Sequence, residues 1–451
     1  MNVLGIDIGT TSICAVVVDA QTGEIKKSIS IDNDNLLESK YPFERIQNPV
    51  AIVEKCLSIT QKLCDEFSPL AGIGVTGQMH GIVYIDKDAE AVSPLYFWQD
   101  ESGNEAYNDE LSYAEYLSNL TGYKMATGYG ASTYFYHSQN GRVPEEAVSI
   151  CTIHDYLVNK LCGLNRPLMH TSDAASLGLF DLNLLKFDSE AIESAGLDYS
   201  FFPEVTGNFE VGGTFRDVPV AVAIGDNQAS FLGSVKEMGS ALLVNVGTGS
   251  QISFLTDAIT PGSLEVRPCF NDKYLRVGSS LCGGRAFSVL EKFLRNTAAL
   301  VTGEKIPSAY AAIDRYLDNA ETPDNALKID TRFAGTRENP ELRGSVQNLG
   351  TDNFTPGHFI WGVIEGIADE LKDMYDDFGA SGHKMLVGSG NGLRKNKALC
   401  RTFAEKFGLE LHIPLHTEEA AFGAALFALT ATGYCADIKE AQRLIRYKSI
   451  I

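Results

Sequence analysis

Two short stretches far apart in the chain share one pattern, and together they limit the possible folds more than any other feature. Near the start, Leu4-Gly5-Ile6-Asp7-Ile8-Gly9-Thr10-Thr11-Ser12 leads into the β-branched run Ile13–Val18; in mid-chain, Leu242-Leu243-Val244-Asn245-Val246-Gly247-Thr248-Gly249-Ser250 leads into Gln251–Leu255. Each is an apolar strand, a tight turn of Gly and hydroxyl residues, and a second strand, which is a hairpin signal. Taking Gly9 onto Gly247, an offset of 238 (247 − 9), also puts Asp7 on Asn245, Thr10 on Thr248 and Ser12 on Ser250. The chain therefore reads as duplicated. Backbone N–H groups and hydroxyls converging at such turns suit phosphate oxygens. Either turn alone reads better as an ordinary hairpin, but a facing pair could grip the two ends of a triphosphate.

At 451 residues the chain exceeds one hydrophobic core, which predicts two domains. The boundary is expected near Ser234–Gly239, giving 1–234 and 235–451. An apolar fraction of 44% with 21% charged residues describes an ordinary globular protein. No run reaches the length of a membrane helix and no basic-then-apolar leader opens the chain, so a cytoplasmic protein without membrane association is expected. The nine cysteines are scattered without a Cys-x-x-Cys and read as reduced core thiols. A formal charge of −21 without a basic cluster speaks against nucleic acid as a partner. A bound nucleotide would then need a metal ion and backbone amides to balance its charge.

After the first hairpin, Ile25–Ile31 alternates as a third strand, and Pro49 followed by Val50, Val53, Leu57 and Leu63 predicts an amphipathic helix. With a buried strand at Ile73–Val75, this is the opening order of the ribonuclease-H-like unit of actin, Hsp70 and sugar kinases, a likeness of fold that settles no chemistry. Gly72-Ile73-Gly74-Val75-Thr76-Gly77 spells the dinucleotide fingerprint, but that motif must follow a strand and open a helix; here it is itself the strand. The strand delivers Gln78, Met79 and His80 to its C-terminal end, where open α/β sheets bind ligands. Trp98-Gln99-Asp100 adds a second polar set. His80 and Trp98 taken singly suit the core; together with Asp100 they suit a polyol, with Trp98 as an apolar wall.

Glu105–Leu120 reads as a helix, the glycines around Tyr129 as a loop over a cleft, with Tyr129 a lid residue, and Asp173 as a helix cap. The buried strand Val218–Ile224 ends in Gly225-Asp226, where an Asp suits a helix N-cap, a general base or a metal-coordinating carboxylate. The second half repeats the order loosely, with helices expected over 286–302, 306–319, 356–378 and 396–407 and a strand Lys384–Val387 running into Gly388-Ser389-Gly390-Asn391. A Gly-rich turn of that kind lets a flat base approach the backbone. Small residues in the last helix, from Glu418, suit close packing on a sheet.

These motifs carry a family likeness. Through Gly5–Ser12, Gly77-Gln78-Met79-His80-Gly81, Trp98-Gln99-Asp100, Gly225-Asp226 and Gly388-Ser389-Gly390 the chain resembles the FGGY carbohydrate kinases over nearly its whole length. Thr152–Tyr156, Leu161–Met169, Ser172–Ser176 and Ser279–Gly284 are most similar to the sedoheptulokinase branch. The resemblance implies two duplicated ribonuclease-H-like α/β domains around a central cleft, with sugar on the N-terminal side and ATP mostly on the C-terminal side. It implies Asp226 as catalytic base and Asp7 as the holder of Mg²⁺. Thr10, Thr11 and Ser12 would approach the γ-phosphate and Gly247 and Thr248 the β-phosphate region; Gly335, Gly388, Ser389, Gly390 and Asn391 would border the adenosine. Gln78, Met79, His80, Asp100 and Tyr129 would line the sugar site beside Asp226. Many members carry a basic residue two places after the Trp-x-Asp motif, whereas here Asp100 is followed by Glu101 and Ser102. The Gly-Thr-Gly of the second turn also differs from the Ser-Thr-Ser of the sedoheptulokinases.

The expected activity is ATP-dependent phosphorylation of the terminal hydroxyl of a ketose, with sedoheptulose as acceptor, by a monomer or a homodimer. Kinases for xylulose, ribulose, gluconate or glycerol are the alternatives in kind. A nucleotide switch of the actin and Hsp70 architecture is the alternative in class, against which stands a candidate base beside a polar pocket.

Overall fold

The computed structural model describes residues 1–260, 262, 264–336 and 339–448. The first hairpin forms as β1 (Asn2–Ile8) and β2 (Ser12–Asp19), continued by β3 (Ile25–Asp32). Helix α1 (Pro49–Phe67) starts where Asn48 accepts from Ala51 N–H and Pro49 occupies the first turn; Ile52, Val53, Cys56, Leu63 and Cys64 are its buried stripe. There follow β4 (Leu70–Gly77), α2 (Gly130–Gln139), α3 (Ile153–Cys162), α4 (Thr171–Leu177), β5 (Val211–Phe215), β6 (Val218–Ala221), β7 (Ile224–Gly225) and α5 (Asp226–Ser234). The second hairpin is β8 (Ala241–Val246) and β9 (Ser250–Thr256), then β10 (Glu265–Pro268), β11 (Tyr274–Ser280), α6 (Gly283–Thr302), α7 (Tyr310–Asn319) and α8 (Pro356–Asp377). The chain finishes with β12 (Met385–Ser389), α9 (Gly390–Lys395), α10 (Lys397–Phe407), β13 (Leu411–Pro414), α11 (Glu419–Ala431) and β14 (Tyr447–Lys448).

Two mixed sheets of seven strands each result, and they repeat one topology. The first runs β5-β6-β4-β1-β2-β3, with β7 also on β4; the second runs β10-β11-β9-β8-β12-β13-β14. In each, the motif hairpin is antiparallel and its first strand pairs in parallel with the strand beyond, β1 with β4 and β8 with β12. Asp7 lies opposite Thr76 and Asn245 opposite Ser389 in those parallel pairs, so the two motif strands hold equivalent places. The dinucleotide-like glycine run is strand β4, and no helix starts at its end.

The last helix returns to the first sheet. On β1 and β4, a Cβ at Gly5 would lie 1.9 Å from Ala421 O, and one at Gly74 1.9 Å from Ala424 O. Only glycine admits α11 at that depth, and the same helix crosses α5 with Gly423 against the Ala229 carbonyl. One apolar core accordingly joins Val16 and Val18 to Phe422 and Leu426.

Some elements differ from their sequence reading. The helix expected from Glu105 begins at Tyr113, because Asn108 accepts from the Glu110 and Leu111 N–H groups in a turn and Ser112 with Glu115 forms a capping box. The helix expected from Ile306 starts at Tyr310, and that expected from Asn396 is preceded by α9, with Asn396 capping α10. Asp173 does not cap α4: His170 does, accepting from Ser172 N–H. All nine cysteines are free thiols, and among the described residues no helix is long and apolar enough to cross a membrane.

Candidate active site

The first phosphate-type turn is tied to its surroundings by side chains that the sequence could not connect. Gly9 N–H donates to Ser12 O at 2.9 Å, and Asn33 closes over the turn through Nδ2 to Gly9 O at 2.8 Å. The Thr10 hydroxyl donates to Gln78 Oε1 at 3.0 Å and accepts from Trp98 Nε1 at 2.9 Å. Gln78 Nε2 then donates to Gln47 Oε1 at 2.9 Å, and Gln47 Nε2 returns to Thr10 O at 2.9 Å. This closed ring occupies the polar ends of Thr10 and Gln78 and fixes the turn against the end of β4. Trp98 is 46% exposed, so it is not a core aromatic, and among the described residues it lines neither of the cavities below. Thr11 is exposed and Ser12 half-buried beside them.

Acidic groups gather on the floor next to this turn. Asp7 stands near the end of β1, Asp226 at the first position of α5, and Glu418 just before α11. The α5 N-cap is Gly225 and makes no side-chain capping bond, so the Asp226 carboxylate is not taken up as a cap. Burial, then the negative charges of Asp226 and Glu418, raise the Asp7 carboxyl to about 7. Burial raises Asp226 to about 6, against the pull of the His154 and Arg267 cations. Such like-charge crowding fits a divalent cation, and an oxygen donor such as Asp7 suits Mg²⁺.

Beneath lies a buried ion pair, His154 Nε2 to Asp173 Oδ1 at 2.9 Å, with both side chains fully enclosed. Burial alone would push His154 down, but Asp173, Asp155 and Asp226 raise it to about 9, which favours the charged ring beside these carboxylates. The turn bearing Asp226 is held from the same side. Gly225 N–H donates to Ser172 Oγ at 3.0 Å, and that hydroxyl meets His170 Nδ1 at 2.8 Å. Burial lowers His170 to about 3, leaving it neutral, and its Nδ1 also accepts from Ser172 N–H. The Ser172 hydroxyl therefore donates to His170 and accepts from Gly225.

A cavity of ≈ 300 Å³ opens beside Asp226, lined by Met79, His80, Tyr129, Ser172, Ser176 and Arg267 among others. His80 takes a positive φ of 75°, donates its backbone N–H to Ser176 Oγ at 3.1 Å and its Nδ1–H to Ser176 O at 2.7 Å, and stacks on Tyr129 at 4.9 Å between centroids. The strained backbone presents this flat pair to the cavity. Met79 packs on Gly225, whose Cβ would meet its Cε at 2.8 Å. Two expected sugar ligands fall outside this wall. Gln78 is in the ring described above, and Asp100 is fully buried, accepting from Arg45 N–H, Ser102 N–H and the Ser102 hydroxyl. Asp100 thus holds the loop after Trp98.

A larger cavity of ≈ 920 Å³ adjoins the second turn, lined by Gly247, Thr248, Gly284, Arg285, Phe287, Tyr310, Asn391 and Lys395 among others. Helix α6 starts against the turn, with Gly284 N–H donating to Gly247 O at 2.7 Å and Arg285 N–H to Thr248 O at 2.9 Å. Its positive end suits an anion there. Gly390, φ 83°, approaches Val246 so closely that a Cβ would lie 2.6 Å from its carbonyl oxygen. Ser389 is buried and accepts from Asn245 Nδ2 at 2.8 Å, and Gly388 faces Ile413. These two support the wall that Asn391 lines. Gly335 does not border this cavity; Thr331, Arg332 and Thr336 around it line a separate acidic concavity along α8. Arg285 and Lys395 escaped the sequence reading, although each adjoins a glycine turn that it singled out.

Residues 2–233 match the model of the FGGY family of carbohydrate kinases, N-terminal domain, and residues 264–432 that of its C-terminal domain. The chain is 27% identical to the sedoheptulokinase of Mus musculus, over 94% of this chain and 97% of that one, and 28% identical to that of Homo sapiens over the same shares. The solved xylulose kinase of Rhodospirillum rubrum superposes with a TM-score of 0.84 at 20% identity, over 100% of this chain and 94% of that one, and so shares its fold.

Proposed function

Because the chain belongs to the FGGY family of carbohydrate kinases, which are ATP-dependent phosphotransferases, we propose that it transfers the γ-phosphate of ATP to the terminal primary hydroxyl of sedoheptulose, giving sedoheptulose 7-phosphate. Similarity to two sedoheptulokinases along nearly the full length of both chains supports that acceptor. The observation that carries the chemistry is Asp226, a carboxylate at the first position of a helix, raised to about 6, one residue beyond Gly225, which packs on the cavity residues Met79 and Ser172.

In this reading Met79, His80 and Tyr129 orient the ketose, and Asp226 accepts the proton of the attacking hydroxyl. The Thr10–Ser12 turn faces the γ-phosphate from the first sheet, Thr10 through its backbone N–H because its hydroxyl is engaged by Gln78 and Trp98, and Gly247 and Thr248, with the α6 N-terminus, face the β-phosphate from the second. Gly388, Ser389, Gly390 and Asn391 form and support the wall along the adenosine. Asp7 would hold Mg²⁺, which supplies charge neutralisation at the phosphate oxygens when bound. Phosphoryl transfer passes a loose transition state, so positioning and neutralisation are what the chain must provide. The division into 1–234 and 235–451 belongs to the same reading.

Asp226→Asn keeps the shape of the site and removes the proton acceptor. Its kcat is expected to fall about 10²- to 10⁴-fold, with ATP affinity retained. Near-normal turnover would refute the base assignment.

A further inference from the structure

The cavity beside Asp226 is not built by the N-terminal sheet alone. Glu265, Val266 and Arg267 line it from β10, the edge strand of the second sheet. That strand is pinned to the first half: Gln228 Nε2 of α5 donates to Pro268 O at 2.7 Å, and Asn271 N–H, just beyond, to Gly207 O at 2.9 Å. Tyr274 adds a hydroxyl bond to Leu182 O at 2.9 Å. Arg267 is therefore held in the cavity wall, beyond ion-pair distance of Asp226 but close enough for its charge to act on that carboxylate.

The use of its donors tells what it offers. Nε and Nη2 both donate to Glu265 Oε2, at 3.1 and 2.5 Å. The guanidinium carries five N–H donors; the two on Nη1 have no partner among the described residues, and the side chain is only 16% exposed. Glu265 balances the cation while orienting its plane. What remains for a ligand is a pair of directed donors with little net positive charge, which suits oxygens of a neutral polyol better than a carboxylate or phosphate.

We propose that Arg267 is a sugar-binding residue supplied across the cleft by the second sheet, its Nη1 donating to hydroxyl oxygens of the acceptor beside Asp226 and its plane set by Glu265. This rests on the ketose-kinase reading above and adds to it a contact from the opposite half. The acceptor site is complete only when β10 is docked on α4 and α5, so the same sheet that carries the nucleotide turn also selects the sugar.

The test is steady-state kinetics of the full chain carrying Arg267→Met, Arg267→Lys or Arg267→Gln, with sedoheptulose and ATP varied separately. Loss of a charge-assisted contact is expected to raise the sugar KM about 10- to 100-fold, while the ATP KM changes less than about threefold. Arg267→Lys is expected to restore only part of the loss, since it keeps the charge without the planar donors. Glu265→Gln, which leaves the cation unbalanced, is expected to improve gluconate relative to neutral ketoses. Unchanged sugar KM in whichever Arg267 variants fold, or a shift in ATP KM instead, would overturn the proposal while leaving the kinase reading intact. Absence of any sugar-dependent turnover in the unaltered protein would instead defeat the underlying reading.

Discussion

In the proposed role of base, the Asp226 carboxylate would combine two requirements that pull apart: it must be ionised to accept a proton, yet burial raises it to about 6. His154, held as a cation by Asp173, and Arg267 keep it from rising further. The sign of the pH response follows. In the free enzyme Asp7 would protonate below about pH 7 and Asp226 below about pH 6, so kcat/KM for the sugar is expected to fall on the acid side with a slope that steepens beyond one below about pH 6. A profile flat down to pH 5 would show that the limiting step does not use this group. At this scale the sequence told less than its motifs suggested. Asp7, Asp226, Met79, His80 and Tyr129 could be proposed because strand ends and glycine turns mark them. Gln78 and Asp100 stood in the same motifs, but their polar ends are taken up by Thr10 and Gln47 and by Arg45 and Ser102. Spacing along the chain cannot distinguish a side chain that faces ligand from one that faces another motif. His154 was missed for the converse reason, since Asp173 lies on a separate element, and Arg267 because the cavity it lines belongs mostly to the other half of the chain.

The paired hairpins were legible as elements because an apolar strand, a Gly-hydroxyl turn and a second strand form a local signal. They differ in one residue that matters: Asp7 on β1 is met on β8 by Asn245, whose amide donates to Ser389 instead of adding a negative charge. Less legible was the start of the helix at Tyr113, where an apolar and charged pattern upstream looked helical but Asn108 and Ser112 commit the backbone to a turn and a cap. The fit of α11 into the first sheet is the most demanding contact between elements. A methyl at Gly5 would sit 1.9 Å from the Ala421 carbonyl oxygen, a backbone atom that cannot rotate away. Gly5→Ala is accordingly expected to destabilise the protein by about 2 kcal/mol or more, seen as a lower apparent Tm; an unaltered Tm would mean that α11 does not seat on β1 as described.

Over the whole molecule, duplication is the organising fact. Each sheet repeats the order of motif strand, hairpin partner and parallel neighbour; the second brings its turn to a cavity of ≈ 920 Å³ at Thr248, while a cavity of ≈ 300 Å³ opens where Met79 and Ser172 meet Gly225 of the first half. The duplication was readable from an offset in the sequence; the exchange between halves was not. β10 lends Arg267 to the first half and α11 returns to its sheet, and neither docking leaves a periodic signal, because it depends on small residues and backbone carbonyls at the contact. The central claim, transfer from ATP to the terminal hydroxyl of a seven-carbon ketose, is tested most directly by coupled ADP release over a panel of ketoses and polyols. Phosphorus NMR of the product would then locate the phosphate. Sedoheptulose is expected to give the highest kcat/KM, with a phosphomonoester on C7. Release of ADP without sugar dependence, or a clear preference for xylulose, gluconate or glycerol, would contradict it.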